Sequence, residues 1–168
     1  MYENTGTTRT GPDLQVGLDL HILSAHTIFM TTLSHHRAEL PHSASTVYAL
    51  WADPRAWPKW DPDVTAVEFD GGIRIGAQGR MRPASGPSTT FTITRLEADR
   101  RVTTTSRLPG ATLTFDHLVE PGTAGSDVEV RISVDGALAP LWRRLLGRTF
   151  ALAATRNISG LSQHLVSR

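Results

Sequence analysis

The sequence contains no cysteine and only one lysine, Lys59, among its 168 residues. Without cysteine the chain can form neither disulfides nor thiolate metal sites, and this composition fits a reducing compartment. No apolar run reaches the roughly 18 residues that a membrane-spanning helix needs. The net charge of +1 and the charged fraction of 20% give no reason to expect a nucleic-acid partner. We therefore predict a cytoplasmic protein without a membrane span.

Sequence motifs for nucleotide binding and serine-hydrolase chemistry are also missing. There is no Gly-x-Gly-x-x-Gly after a strand, no P-loop and no Gly-x-Ser-x-Gly. His35, His36 and His42 are the nearest approach to a metal cluster. Adjacent strand residues point to opposite faces, so His35 and His36 cannot bind one ion. We expect neither a metal nor another cofactor.

The N-terminal extension, residues 1–32, differs from the rest of the chain. Its first 17 residues are rich in threonine and glycine and show no hydrophobic period, which predicts disorder or loose packing. We consider two hypotheses for this extension. It is a tail of the native protein, or translation starts further along the chain, at Met30. The apolar run at residues 18–29 carries an aspartate and two histidines, so we expect no signal peptide. Residues 33–168 are expected to form one domain.

Most of that domain alternates between polar and apolar residues with a period of two, which predicts strands. The predicted strands are 33–40, 64–70, 76–82, 89–96, 101–108, 111–119 and 127–135. Hairpin-length turns, most of them containing glycine or proline, join the last six, so we expect an antiparallel meander with one apolar face. After the first strand, Ser43 is a good N-cap for a helix over 44–52. Three prolines then limit residues 53–62 to one or two short turns.

The last 29 residues predict one long helix that starts at Pro140. At about 100° per residue its apolar side chains fall on one arc. These are Trp142, Leu146, Phe150, Ala153, Ala154, Ile158, Leu161 and Leu165. Asn157 lies near the middle of this arc, and Gly147 and Gly160 each cost roughly 1 kcal/mol relative to alanine. Only this helix is large enough to cover the sheet, so the predicted fold class is α+β.

Four segments carry a resemblance to a known family. They are Ser43–Asp53, the run Trp57-x-x-Trp60-Asp-Pro, Arg107–His117, and Asp135–Trp142. With this element order, the chain resembles the START-like helix-grip superfamily, the birch-pollen-allergen fold, and within it the bacterial polyketide cyclase/dehydrase family. The resemblance implies a curved antiparallel sheet of about seven strands around the C-terminal helix, with two short helices after the first strand. It also implies a ligand cavity between sheet and helix.

The side chains expected to line that cavity come from the inward faces of the strands and from the helix. They are Trp60, Phe69, Met81, Phe91, Thr104, Ser106, Phe115, His117, Phe150 and Asn157. His117 is the best candidate for a catalytic residue, because a histidine transfers protons near neutral pH. It can equally be a core histidine bonded to a backbone carbonyl or to water. Asn157 can bond a ligand carbonyl, the helix backbone or a loop.

Three functions are compatible with these patterns. The first is binding of a small hydrophobic or aromatic ligand. The second is a polyketide aromatase or cyclase that catalyses aldol cyclisation or dehydration chiefly by positioning its substrate. In that enzyme His117 would move protons, while Asn157 or Thr104 would polarise a carbonyl.

The third function is a protein-interaction module without a ligand. Leu141, Leu145 and Leu152 lie on the otherwise polar side of the predicted helix. They can serve a partner or a second subunit in a homodimer, or the N-terminal extension or a loop can cover them.

Overall fold

A seven-stranded antiparallel sheet makes up most of the computed structural model, which describes residues 30–167. The strands are β1 (Thr31–Leu40), β2 (Val64–Phe69), β3 (Gln78–Pro83), β4 (Thr89–Glu97), β5 (Arg101–Leu108), β6 (Ala111–Gly122) and β7 (Gly125–Asp135). Their order across the sheet is β1-β7-β6-β5-β4-β3-β2. The predicted meander is therefore confirmed, with β1 returning to pair with the last strand. Most of the predicted extension, residues 1–29, lies outside the described residues.

In the described part of the chain, four helical segments accompany the sheet. They are α1 (Ala44–Trp51), a 3₁₀ helix (Pro54–Lys59), α2 (Ala139–Phe150) and α3 (Ala153–Val166). Ser43 caps α1 as predicted, because its hydroxyl accepts the Thr46 N–H at 3.2 Å. Within residues 30–167, none of the helices has the length and apolarity needed to cross a membrane.

The inward face of the sheet is the hydrophobic core, and the alternation in β7 shows how the sequence builds it. Val128, Val130, Ile132 and Val134 are at most 2% exposed. On the opposite face, Glu129 accepts hydrogen bonds from Arg37 at 2.8 Å and pairs with His35 at 2.9 Å. Helix α3 covers the inward face with its own buried side chains, which are Ala153, Ala154, Asn157, Ile158, Leu161 and Leu165. The α+β helix-grip fold predicted from the sequence is confirmed.

The long C-terminal helix is bent, whereas the sequence predicts one uninterrupted helix. The α2 and α3 segments are separated at Ala151 and Leu152. Ser34 on β1 bridges the separation: its hydroxyl donates to the Ala151 carbonyl at 3.3 Å and accepts the Ala154 N–H at 3.1 Å. A side chain inserted into the backbone ladder of a helix produces a bend of this kind.

The bend divides the helix into a buried part and a lightly packed part. In α2 only Ala139 is buried, and Trp142, Leu146 and Phe150 on its inward side remain partly exposed. The start of α2 is held at the β5–β6 turn, where the Trp142 indole N–H donates to the Pro109 carbonyl at 2.9 Å. Helix α2 is thus fixed at its two ends and loosely packed between them.

The two glycines of the helix have different environments. A Cβ atom on Gly160 would lie 2.1 Å from the Trp60 carbonyl oxygen, so the helix touches the loop after the 3₁₀ helix here. A Cβ atom on Gly147 would meet nothing within 4 Å among the described residues. Only Gly160 is therefore required by packing.

We expect opposite effects from replacing these glycines with alanine. Gly147→Ala should raise the free energy of unfolding by up to about 1 kcal/mol, because alanine favours the helix. Gly160→Ala should lower it by roughly 1–3 kcal/mol, because the new methyl group displaces the Trp60 backbone. Urea denaturation of both variants checks this expectation, and equal shifts for the two would contradict it.

Candidate functional site

The candidate site is the inward face of the sheet where it meets the bent helix. Cross-strand pairing sets Thr104 on β5 opposite Phe115 on β6, and Ser106 opposite Leu113. Both hydroxyl-bearing residues are at most 4% exposed. The predicted inward orientation of these side chains agrees with their burial, so two hydroxyls lie within an apolar surface.

The aromatic residues of β2 and β4 form a stack over β3. The rings of Phe69 and Phe91 lie 5.9 Å apart with an interplanar angle of 9°, and Trp57 packs on Phe91 at 5.1 Å. Gly79 makes this stack possible, because a Cβ atom there would lie 2.5 Å from Phe91 and 2.8 Å from Phe69. These rings form a closed wall of the site rather than its opening.

Three predicted lining residues are only partly buried. Phe115 and Phe150 meet edge to face, with ring centroids 5.8 Å apart. Met81, like these two phenylalanines, packs against the core while keeping part of its surface exposed. Phe115 and Phe150 therefore form one partly exposed portion of the inward face, under the loosely packed α2, and Met81 lies apart from them on β3.

His117 lies deep in the core, beneath α1. Its ring centroid is 5.1 Å from that of Trp51, and the residue is 7% exposed. Burial lowers the pKa of His117 to about 4, although the neighbouring Asp116 carboxylate acts in the opposite direction. The imidazole is therefore neutral at pH 7. Its Nδ1 atom has no hydrogen-bond partner within residues 30–167.

Asn157 and Trp60 lie at the junction between α3 and the loop that follows the 3₁₀ helix. The Asn157 side-chain amide donates to the Asp61 carboxylate at 2.6 Å, so the amide contacts a loop. The other atom of that amide, Oδ1, is buried and has no partner among the described residues. Burial, the largest contribution, raises the pKa of Asp61, and the hydrogen bond from Asn157 partly offsets it.

A second contact, which is an ion pair, joins helix and loop at the same junction. Arg156 donates to both carboxylate oxygens of Asp63 at 2.8–3.0 Å. The hydrogen bonds to Asp63 are the largest cause that raises the pKa of Arg156 above its ordinary value. The Asp63 backbone N–H in turn donates to Asp61 at 2.9 Å. Loop and helix are thus joined by two acid–helix pairs, which we call the α3 clamp: Asp61–Asn157 and Asp63–Arg156.

Sequence reasoning missed the two aspartates of the α3 clamp as site residues. Asp61 and Asp63 stand among prolines in a turn, where aspartate is common and carries no special signal. Their partners on α3 lie 96 and 93 residues further along the chain. Asn157 on an apolar arc was the one available signal, since a buried amide requires a polar partner.

A groove of about 620 Å³ opens beside the α3 clamp, between the 3₁₀ helix and α3. Its lining residues are Pro58, Lys59, Trp60, Asp61, Pro62, Arg156, Ser159, Gly160, Gln163, His164 and Ser167. Of the predicted site residues, only Trp60 reaches this groove. The structure therefore separates the predicted residues into three groups: Trp60 and Asn157 at the clamp, His117 beneath α1, and the remainder along the sheet together with Phe150 on α2.

The histidines near the N-terminal end of the described chain are dispersed. His35 pairs with Glu129 on the outward face, whereas His36 is partly buried on the inward side of β1. Residues 30–167 hold no group of three His, Asp or Glu side chains close enough to bind a metal ion.

Comparison with known proteins places the fold in context. The model of a family described as polyketide cyclase / dehydrase and lipid transport matches residues 31–168. Norcoclaurine synthase from Thalictrum flavum, in complex with dopamine and hydroxybenzaldehyde, is similar with a TM-score of 0.65 and 12% identity, covering 98% of each chain. A protein from Mesorhizobium loti is similar with a TM-score of 0.63 and 15% identity, and the match covers 82% of this chain and 97% of that one. These identities show the fold alone, and a search of curated proteins finds no match.

We expect the buried His117 to make stability depend on pH. Its pKa is lowered in the folded state, so between pH 6.5 and about 4 the unfolded chain binds a proton that the folded chain does not. The neutral His117 therefore contributes to the free energy of unfolding in full above pH 6.5. That contribution is lost as the pH falls toward 4, and the loss is roughly 3 kcal/mol at most. Urea denaturation across this range should show a shallower pH dependence for His117→Gln. Identical pH profiles for both proteins would contradict the expectation.

Proposed function

The chain belongs to the polyketide cyclase / dehydrase and lipid transport family, and on this basis we propose that it binds a small hydrophobic or aromatic ligand. The ligand lies between the inward face of the sheet and the bent C-terminal helix. The proposed ligand-binding unit is residues 33–168, and the family model, which matches residues 31–168, supports it. The protein acts in the cytoplasm, consistent with a sequence that has no cysteine.

The observation that carries this proposal is a small number of unpaired polar atoms in an apolar interior. Trp51 Nε1, Trp60 Nε1, His117 Nδ1 and Asn157 Oδ1 are buried and lack hydrogen-bond partners within residues 30–167. Each such atom costs about 1–3 kcal/mol relative to a paired one. Ligand sites combine an apolar lining with a few polar groups that orient the ligand. A ligand with a hydroxyl, carbonyl or amino group would satisfy some of these atoms.

The loose packing of α2 supports a route into this interior. Phe115 and Phe150 are in contact beneath α2 and partly exposed, whereas Phe69 and Phe91 are closed off by Trp57. Displacing α2 breaks few core contacts, because only Ala139 of this helix is buried. In this proposal the ligand enters when α2 is displaced, and Thr104 and Ser106 lie further in.

A second candidate function is catalysis of an aldol cyclisation or a dehydration, and the α3 clamp favours it. The raised pKa of Asp61 is the direction needed by a carboxyl group that gives up a proton to a substrate. The neutral His117 is a weak base, and Trp51 packs directly against it. In the enzyme hypothesis Asp61 is thus a stronger candidate for proton transfer than His117.

The ligand-binding proposal can be tested with a matched pair of isosteric substitutions. Thr104→Val removes an inward hydroxyl, and Thr105→Val removes a hydroxyl from the next residue, which faces the other side of the sheet. We expect Thr104→Val to weaken binding of 1-anilinonaphthalene-8-sulfonate by roughly two- to tenfold, the value of one hydrogen bond. Thr105→Val should leave it unchanged. Fluorescence titration measures both affinities.

Two outcomes would contradict this proposal. The native protein could fail to bind the dye at all, or both valine variants could bind it with the same affinity as the native protein. Native mass spectrometry of the freshly purified protein provides an independent check, because a carrier should retain part of its natural ligand.

A further inference from the structure

The outward side of α2 and its flanks carry an exposed row of leucines. Leu138 is 43% exposed, Leu141 50%, Leu145 59% and Leu152 60%. The first three are spaced three and four residues apart, so they are neighbours on one side of the helix, and Leu152 lies at the bend. Two exposed leucines on α2 and one just beyond each of its ends mark an interaction surface.

Arginines flank this leucine row. Arg144 and Arg148 each follow a leucine of the row by three residues and are exposed beside it. Arg143 adds a third exposed positive charge on the same helix. The sequence contains no Asp or Glu from residue 136 to residue 168, so no acidic side chain of this helix reduces that charge. The surface of α2 is therefore both apolar and positively charged.

We propose that α2 docks on an anionic lipid surface. Helices that lie in a membrane interface combine leucine or aromatic residues with arginine or lysine, and they bind through apolar burial and attraction to anionic lipids together. The 12-residue α2 is too short to cross a bilayer and lies flat on it. Leu141 and Leu145 enter the boundary of the acyl chains, and Arg144 and Arg148 bind the phosphate groups.

Docking through α2 would bring the partly exposed portion of the inward face close to the lipid. The inward side of the same helix carries Phe150, which with Phe115 lies at the partly exposed portion of the inward face. A protein docked through the outward side of α2 therefore holds that portion next to the lipid. The docking itself depends only on the outward residues, so a vesicle assay without any ligand tests it separately from the ligand-binding proposal.

Co-sedimentation of the full chain with lipid vesicles tests the proposal. We expect binding to vesicles of equimolar phosphatidylcholine and phosphatidylglycerol, weak binding to phosphatidylcholine alone, and loss of binding as salt is added. The double variants Leu141→Ser/Leu145→Ser and Arg144→Ser/Arg148→Ser should each bind at least about tenfold more weakly. Ile75→Ser, which alters a residue 64% exposed outside α2, should bind like the native protein.

Several results would overturn the proposal. One is failure to bind the anionic vesicles, and another is equal binding by the leucine double variant. Because the chain has no natural cysteine, Leu145→Cys and Ile75→Cys each introduce a single thiol whose modification rate reports its exposure. Both thiols should react at similar rates without lipid, and anionic vesicles should slow only Leu145→Cys.

The same thiol assay distinguishes other occupants of the leucine row. Protection of Leu145→Cys without vesicles at every protein concentration would show that residues 1–29 of the chain cover the row. Protection that increases with protein concentration would show that a second copy covers it. Either result would overturn the lipid proposal.

Discussion

The hydroxyl of Ser34 at the bend of the C-terminal helix is the interaction on which this structure depends. It donates to Ala151 and accepts from Ala154, and so satisfies backbone groups that the interruption would otherwise leave unpaired. The residue lies next to a pairing irregularity between β1 and β7, which directs it at the helix. The bend lets α3 enter the core while α2 continues over the rim of the sheet.

The α3 clamp fixes the other side of the helix. Asp61 and Asp63 bind Asn157 and Arg156, and the helix approaches the loop so closely at Gly160 that a Cβ atom there would overlap the Trp60 carbonyl. Helix α3 is thus held by β1 on one side and by this loop on the other. Among residues 30–167, no comparable attachment holds helix α2 between its two ends. This unequal distribution of contacts is the physical basis for assigning access to the interior, and contact with lipid, to α2.

The sequence predicted the sheet almost completely, because a half-buried strand repeats every two residues and the turns contain glycine and proline. It could not predict the bend. Ser34 is an ordinary polar residue in a strand pattern, and its partners lie 117 and 120 residues away. The sequence could not predict the α3 clamp either, because its partners are also far apart along the chain. Asn157 indicated only that a polar partner exists. The candidate lining residues on the strands follow from alternation, but alternation does not distinguish the stacked Phe69 and Phe91 from the partly exposed Phe115.

Hydrogen exchange at the Ala154 amide tests the central role of Ser34 most directly. In Ser34→Ala this amide loses its acceptor, and we expect it to exchange up to about tenfold faster, since one hydrogen bond contributes roughly 1 kcal/mol. The amides of α2 should also exchange faster, because the bend that positions this helix loses its support. Ser34→Thr, which keeps the hydroxyl, should retain the native rates. Unchanged exchange at Ala154 and in α2 of Ser34→Ala would show that the bend does not depend on this hydroxyl.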